Sequence, residues 1–368
     1  MFNKIKIYSK NFDWILFSAV ILLSTLGLVE LYSIALGQEA INLLNFKKQI
    51  VFVLIGTILL FIFSFLDYHS LKNSSYYFYI LGILLLVVVL IFGQSIRGTK
   101  GWFYIFGLGI QPVEFVQIAL ILFLSKFFSS TSTKYKSLKQ LILSGFFILV
   151  PIILVLMQPD FGTALLTSSV WFIMLFIVGF NKKYFLIIAT IILIVAASAW
   201  PLWLKDYQKE RIITFINPSV DSLDKGYNAT QAMIAVGSGG LTGKGLGFGS
   251  QSQLKFLPEA QNDFIFAVIS EELGFLGASL TIFLFFVIFF RCIVNIKKVK
   301  DDFGIFFILL TMGLIFIAMF INIGMNIGIV PIVGISLPFV SYGGSALLSA
   351  YIMVGIMQSI IIRSKINY

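Results

Sequence analysis

The carboxylates best placed to do chemistry stand in one short stretch, FLPEAQNDFIFAVISEELG, residues 256–274. Asp263 precedes a long apolar segment, and Glu271 and Glu272 follow eight and nine residues later. At a helical rise of about 1.5 Å per residue, the two glutamates lie roughly 12 Å deeper than Asp263. Asp263 suits two roles: an N-cap that accepts from the first helical N–H groups, or a general base at a membrane surface. Both interpretations stay open at this point.

Glu271 and Glu272 lie inside the apolar segment itself. Ionisable groups inside a membrane span are costly, and they usually face a protein interior or a water-filled cavity. We favour a structural interpretation, in which each glutamate pairs with a Lys, an Arg or a backbone N–H.

A second polar group begins another apolar segment. Gln111, Glu114 and Gln117 are spaced at i, i+3 and i+6, so they share one helix face. This stripe suggests a lined cavity, although Pro112 and an early Glu also suit the first turn of any helix. The stretch QPDFG, residues 158–162, is a further polar break between two apolar runs.

The glycine-rich segment GSGGLTGKGLGFGS, residues 237–250, departs from the nucleotide-binding loop pattern because Gly245 follows Lys244. Its N–H groups beside Lys244 are able to cradle a diphosphate, but a tightly turned loop explains the glycines equally well.

Composition places these residues in a membrane. The 368 residues include only 11% charged residues, and mean hydropathy is +1.01, whereas soluble domains carry roughly 25% charged residues. We predict an all-α polytopic membrane protein, residues 1–368 forming one transmembrane domain, with a large extracytoplasmic loop at 203–263 between spans seven and eight. The ten predicted spans are 14–36, 49–66, 76–92, 112–130, 141–157, 161–178, 184–202, 264–290, 303–325 and 344–362.

The net charge of +10 is better explained by membrane topology and anionic lipid than by nucleic acid. With ten spans, 16 of the 26 Lys and Arg residues fall on the side of the termini, which predicts that both termini are cytoplasmic. Cys292 is the only cysteine, so no intrachain disulfide can form, and the single histidine, His69, argues against a histidine-rich zinc site or a His-dependent catalytic triad.

Several blocks together resemble the SEDS family (shape, elongation, division, sporulation) of bacterial cell-wall synthesis. They are QPVEF (111–115), QPDFGTALL (158–166), RIITFINP (211–218), the block at 231–277 and the block at 322–348. GSQSQLKFLPE and NIGMN resemble the RodA branch of the family more than the FtsW branch. The chain departs from the family pattern at three places: Gln117 replaces a common Lys, Gly101 stands before Trp102 where an Arg is usual, and AQND precedes the apolar segment.

The resemblance implies a peptidoglycan glycosyltransferase of the bacterial cytoplasmic membrane, which polymerises lipid II on the outer face. It places the essential aspartate of the family on Asp263, and it implies a class B penicillin-binding protein as partner. Inversion from an α-linked diphosphate to a β-linked product needs one base and no nucleophile. The expected substrate-binding residues and cations are Gln111, Glu114, Glu259, Lys100, Arg211, Lys244 and Lys255. No organic cofactor is expected, and Mg²⁺ or Mn²⁺ is a candidate for the diphosphate.

Two other functions compete with this one. A lipid II flippase would depend on the deep carboxylates Glu114, Glu271 and Glu272 more than on Asp263. A scaffold that only anchors a partner enzyme would tolerate Asp263→Asn without effect.

Overall fold

A computed structural model describes residues 2–37, 42–96, 98–105, 108–130, 137–202, 209, 225–254 and 256–366. These residues are mostly helical, with a small sheet. The helices are α1 Phe2–Asn11, α2 Trp14–Leu36, α3 Leu44–Phe65, α4 Tyr68–Phe92, α5 Pro112–Ser130, α6 Leu138–Met157, α7 Phe161–Val178, α8 Lys182–Leu202, α9 Lys225–Ser238, α10 Ser250–Gln253, α11 Ile265–Ile296, α12 Asp302–Asn326 and α13 Gly344–Ile366. The strands are β1 Gln94–Ile96, β2 Thr99–Ile105 and β3 Leu108–Ile110.

Nine helices in the described part of the chain are long and apolar enough to cross a membrane: α2 to α7 and α11 to α13. The prediction of a helical polytopic membrane protein is confirmed. Helix α8 coincides with the seventh predicted span but is not among the nine, so the count of ten stays a prediction. The predicted loop 203–263 contains α9 and the short α10 among its described residues.

Polar residues fix where several spans begin. Asp13 caps α2 by accepting from the N–H of Leu16 at 3.1 Å, and Asp160 caps α7 by accepting from the N–H of Thr163 at 3.0 Å. Ser137 and Gln140 form a capping box at the start of α6. Each side chain satisfies N–H groups that a helix cannot pair internally.

Helix α13 lies at the centre of the bundle and is almost completely buried. It packs closely against α3, and small residues make the approach possible. A Cβ on Gly56 would press on the ring of Tyr351, and a Cβ on Gly355 would meet the backbone of Leu60. Because lipid tails are as apolar as side chains, close packing of this kind holds spans together in a bilayer.

A buried ion pair joins the start of α2 to the last turns of α11, at the end of the bundle that carries the N-terminus. Arg291 donates to the carboxylate of Asp13 through Nε and Nη2 at 2.8 to 3.1 Å. The side-chain amide of Gln358 bridges the N–H and C=O of Asp13 at 3.0 and 2.9 Å. Burial by itself would raise the pKa of Asp13, but the hydrogen bonds from Arg291, Leu16 and Asn295 outweigh it and hold the pKa below its ordinary value.

We expect Asp13→Asn to lower the free energy of unfolding at pH 7 by about 3 kcal/mol, because it leaves the half-buried Arg291 without its counter-charge. Since the folded pKa is lowered, the stabilisation is complete above the ordinary aspartate pKa of about 4 and is lost as the pH falls below it. Thermal unfolding in detergent at pH 7 and at pH 3 measures both effects. A wild-type advantage that is equal at the two pH values would contradict this assignment.

At the opposite end, the three strands form an antiparallel meander in the order β1-β2-β3. The spans predicted at 76–92 and 112–130 leave only a connection here, and the strands are too short to be recognised between two apolar helices. Their signal is the alternation of Trp102 and Tyr104, which places both rings on one side of β2. Tyr104 pairs with Gly109 across the β2–β3 register.

Candidate active site

Asp263 is held by its main chain just before α11. The N-cap of α11 is Phe264, so Asp263 is not the N-cap residue. Instead, the side-chain oxygen of Asn326 accepts from the N–H of Ala267 at 3.1 Å. The side-chain amides of Asn322 and Asn326 both donate to the C=O of Asp263 at 3.0 Å. Helix α12 therefore performs the capping and fixes the position of Asp263.

The side chain of Asp263 lines a cavity of about 460 Å³. Its walls come from the start of α3, the sheet, α5, the α6–α7 turn and the segment 333–346. This volume lies within the range of small-molecule sites in proteins. Gln111, Glu114 and Gln117 all line it, so the prediction that this polar stripe faces a cavity is confirmed.

Two further carboxylates share the cavity. Asp160 accepts from Nε2 of Gln111 at 3.1 Å and from Oγ1 of Thr163 at 2.8 Å. Glu114 accepts from Oγ of Ser349 at 3.4 Å. The Nε2 of Gln117 has no hydrogen-bond partner within the described residues. A neutral amide, rather than the lysine that the family resemblance led us to expect, therefore lies on the same helix face as Glu114.

Lys48 is the single Lys or Arg among the described residues that line this cavity. Phe52, four residues further along α3, lines the same cavity, as expected for neighbours on one helix face. The adjacent Gln49 anchors this turn, because its side chain donates to the C=O of Ser341 at 3.1 Å. Sequence analysis missed Lys48. The only feature of the sequence that marks Lys48 is the pair of basic residues just before an apolar span, and such pairs are common in membrane proteins.

The other predicted cations lie elsewhere. Lys244 pairs with Glu271 at 2.9 Å and does not line the cavity. Lys100 is exposed on β2, with its Nζ 3.5 Å from the C=O of Ile91, and it does not line the cavity either. Arg211 and Lys255 lie outside the described residues. Glu259 is exposed four residues before Asp263, and its C=O accepts from the N–H of Asp263 at 3.1 Å.

Glu271 and Glu272 hold the glycine-rich segment against α11. Glu271 accepts from Lys244 and also from the N–H groups of Gln251 and Ser252 at 3.0 to 3.2 Å. Glu272 accepts from four donors: Ser33, the N–H of Gly247, Ser252 and Gln253. The structural interpretation of these two glutamates is confirmed.

The helix breaks directly after this pair. Gly274 has a φ of +66°, and a Cβ there would collide with the backbone of Leu241 and Gly243. The C=O groups of Glu271 and Glu272 accept from the N–H groups of Lys244 and Gly245, both at 3.0 Å. Because these N–H groups already have backbone partners, the structure favours a tightly turned loop here, and the diphosphate cradle stays a prediction.

Glu30 of α2 contrasts with Glu272. It is fully buried near Glu272, and its carboxylate oxygens have no hydrogen-bond partner within the described residues.

We expect Glu272→Gln to lower the free energy of unfolding by about 2–4 kcal/mol, because hydrogen bonds to a charged acceptor are lost. Glu30→Gln is expected to leave stability unchanged or raise it, since it removes a carboxyl group that gains no such bonds. Thermal unfolding of the two isosteric variants provides the comparison, and an equal loss in both would refute the distinction.

Comparison with known proteins identifies the class to which this bundle and cavity belong. The family model described as cell cycle protein, FtsW/RodA/SpoVE, matches residues 13–366. The chain therefore belongs to this family, which is the SEDS family that the sequence resembles.

Individual relatives agree with the family assignment. The chain is 30% identical to the peptidoglycan glycosyltransferase RodA of Treponema pallidum, over 95% of this chain and 97% of that protein. It is 37% identical to the peptidoglycan glycosyltransferase MrdB of Escherichia coli K12, over 77% of this chain and 76% of that protein. A solved chain from a peptidoglycan synthase complex that coordinates polymerization and crosslinking superimposes with a TM-score of 0.81 at 27% identity, covering 96% of this chain and 98% of that one.

Proposed function

We propose that this protein is a peptidoglycan glycosyltransferase that polymerises lipid II into β-1,4 glycan strands on the outer face of the bacterial cytoplasmic membrane. The observation that carries the proposal is a single cavity, at one end of a membrane bundle, lined by both Asp263 and Lys48. The names of the relatives RodA and MrdB support the same activity.

The transfer needs one base and one cation. Asp263 accepts the proton of the attacking sugar 4-hydroxyl as the oxygen of that hydroxyl bonds to the anomeric carbon of the donor. The bond from that carbon to the diphosphate breaks, and its electron pair leaves with the diphosphate. Lys48 stabilises the negative charge that develops on the diphosphate. This electrostatic stabilisation is stronger in a cavity poor in water than in bulk solvent. The anomeric centre inverts once, so no covalent intermediate is required.

A divalent cation remains a prediction. In the described part of the chain no group of three or more His, Cys, Asp or Glu side chains is arranged to hold a metal. Among the cavity residues, Glu114 and Asp160 carry carboxylates that suit Mg²⁺ or Mn²⁺ bound mainly by a substrate diphosphate. When bound, the cation would neutralise charge on the diphosphate.

We place the protein nearer the RodA branch, with a role in cell elongation, on the strength of GSQSQLKFLPE and NIGMN. A class B penicillin-binding protein is the proposed partner, since a structural relative belongs to a complex that couples polymerization to crosslinking. Both termini are proposed to be cytoplasmic, which puts Asp263 and the cavity on the outer side. The position of Arg291, Lys72 and Arg363 at the opposite end supports this orientation under the positive-inside rule.

A lipid II flippase is the second candidate, favoured by the presence of Glu114 in the cavity. Two of the three deep carboxylates that it would use, Glu271 and Glu272, are instead fully engaged in holding the segment 244–253. This engagement argues against the flippase hypothesis and does not affect the glycosyltransferase proposal.

Polymerisation of fluorescent lipid II by the purified protein tests the proposal, with and without a class B penicillin-binding protein and with Mg²⁺ or EDTA. Glycan ladders are the expected result. A parallel assay follows movement of labelled lipid II across proteoliposome membranes. Movement of lipid II across the membrane without glycan ladders, under every condition, would contradict the polymerase proposal and support the flippase.

A further inference from the structure

A second cavity, of about 400 Å³, adjoins the first at the same end of the bundle. It lies between the end of α2, the start of α3 and residues 252–253 and 257–262. Four side-chain amides line it, those of Asn45, Gln253, Gln261 and Asn262. Tyr342 adds an aromatic ring to the wall. Nothing in the mechanism described above uses this space.

The lining of the second cavity differs in charge from that of the first. Its described lining residues include no Lys or Arg, and Glu259 is their only carboxylate. An anionic diphosphate therefore fits the first cavity, with Lys48, better than the second. The amide nitrogens of Gln253 and Asn262 already donate to Glu272 and Glu259, which leaves their amide oxygens to accept from sugar hydroxyl and acetamido groups. An aromatic ring beside them offers an apolar face to a sugar ring.

The two cavities share a wall. Asn262 and Tyr342 line both, and Asn262 is the chain neighbour of Asp263. Internal hydrogen bonds hold this wall in place: the N–H of Tyr342 donates to the C=O of Gln261 at 2.8 Å, and Oγ of Ser341 donates to the C=O of Asn262 at 2.6 Å. Nδ2 of Asn45 donates to Oε1 of Gln261 at 2.7 Å, which ties α3 to the same wall.

We infer that the second cavity is a saccharide subsite for the sugar that carries the attacking hydroxyl. The inference rests on the proposed glycosyl transfer, which joins two saccharides at one point and so needs two binding spaces that meet at the base. The donor diphosphate occupies the first cavity beside Lys48. The acceptor sugar enters from the second, and its 4-hydroxyl reaches Asp263 past Asn262.

Binding of a soluble, lipid-free disaccharide-peptide, GlcNAc–MurNAc-pentapeptide, tests the subsite directly in the full-length protein. Saturation-transfer NMR gives its affinity for the wild type and for Asn45→Leu, and farnesyl diphosphate serves as a separate probe of the first cavity. We expect Asn45→Leu to weaken the disaccharide by about tenfold, the loss of hydrogen bonds worth roughly 1.4 kcal/mol, with the affinity for farnesyl diphosphate unchanged. Asn42→Ser is the control, since Asn42 is exposed on the same connection, does not line the cavity, and serine keeps an acceptor for the N–H of Leu44.

The outcomes separate the subsite from the proposed function. Absence of disaccharide binding to the wild type, or equal binding to Asn45→Leu, would overturn the subsite even if lipid II is polymerised normally. Loss of both probes in Asn45→Leu would point to a folding defect, and Gln261→Leu then repeats the test at the hydrogen-bonded partner of Asn45. If both probes bind as expected but no glycan forms, the glycosyltransferase proposal fails while the saccharide site stands.

Discussion

Asp263→Asn is expected to lower the initial rate of lipid II polymerisation by about 10²–10⁴-fold, the usual contribution of a general base. The amide has almost the same size and shape as the carboxylate, but it cannot take the proton of the 4-hydroxyl. The main-chain bonds from Asn322 and Asn326 to the C=O of residue 263 do not involve the replaced group. The substitution should therefore remove the general base and leave the position of residue 263 unchanged.

The rate is measured by gel analysis of labelled glycan, together with thermal unfolding of each purified variant. Asp302→Asn provides a matched control, because Asp302 is an exposed aspartate in the first turn of α12. Unfolding temperatures of both variants should stay near that of the wild type. Wild-type rates in a folded Asp263→Asn protein would remove Asp263 from the chemistry and leave the polymerase without its proposed base.

The part of the site that sequence predicted best is local. Gln111, Glu114 and Gln117 share a face because helical spacing places them there, and the structure puts all three on the cavity. Glu271 and Glu272 were expected to find structural partners because burying a charge alone in a bilayer is costly. In each case the prediction needed only the geometry of one helix or the energetic cost of burying one charged group.

What sequence could not predict depends on contacts between distant segments. The capping of α11 by Asn326 comes from the end of α12, 59 residues from Ala267. The break at Gly274 exists because the backbone of Leu241 and Gly243 packs into it. Lys48 enters the site through the packing of α3 against α13, which no local pattern encodes.

The same distance explains why the sequence did not reveal the partner of Lys244 in the glycine-rich segment. Lys244 beside many glycines suggested a phosphate contact, since local composition resembles known anion-binding loops. The structure instead assigns the glycines to close approach, because a Cβ on Gly239 or Gly243 would collide with the backbone of α11. Lys244 neutralises Glu271 at that contact.

Lys48→Gln is expected to lower kcat/KM for lipid II by about 10²–10³-fold, the scale of losing one preorganised charge from a transition state. The reason is the charge balance of the first cavity, where Glu114, Asp160 and Asp263 already contribute carboxylates. A substrate diphosphate adds more negative charge to this space. Without Lys48, no Lys or Arg remains among the described lining residues to offset it.

Lys47→Gln is the matched control, because Lys47 is the neighbouring cation but is exposed and does not line the cavity. It should leave the rate within about twofold, as surface charge changes usually do. Lys48→Arg should restore much of the rate, since it keeps the charge.

The affinities of the protein for farnesyl diphosphate and farnesyl monophosphate test whether Lys48 contacts the diphosphate. Lys48→Gln should lower the affinity for the diphosphate more than the affinity for the monophosphate. A slow variant that still binds farnesyl diphosphate as the wild type does would show that Lys48 does not hold the diphosphate in the ground state.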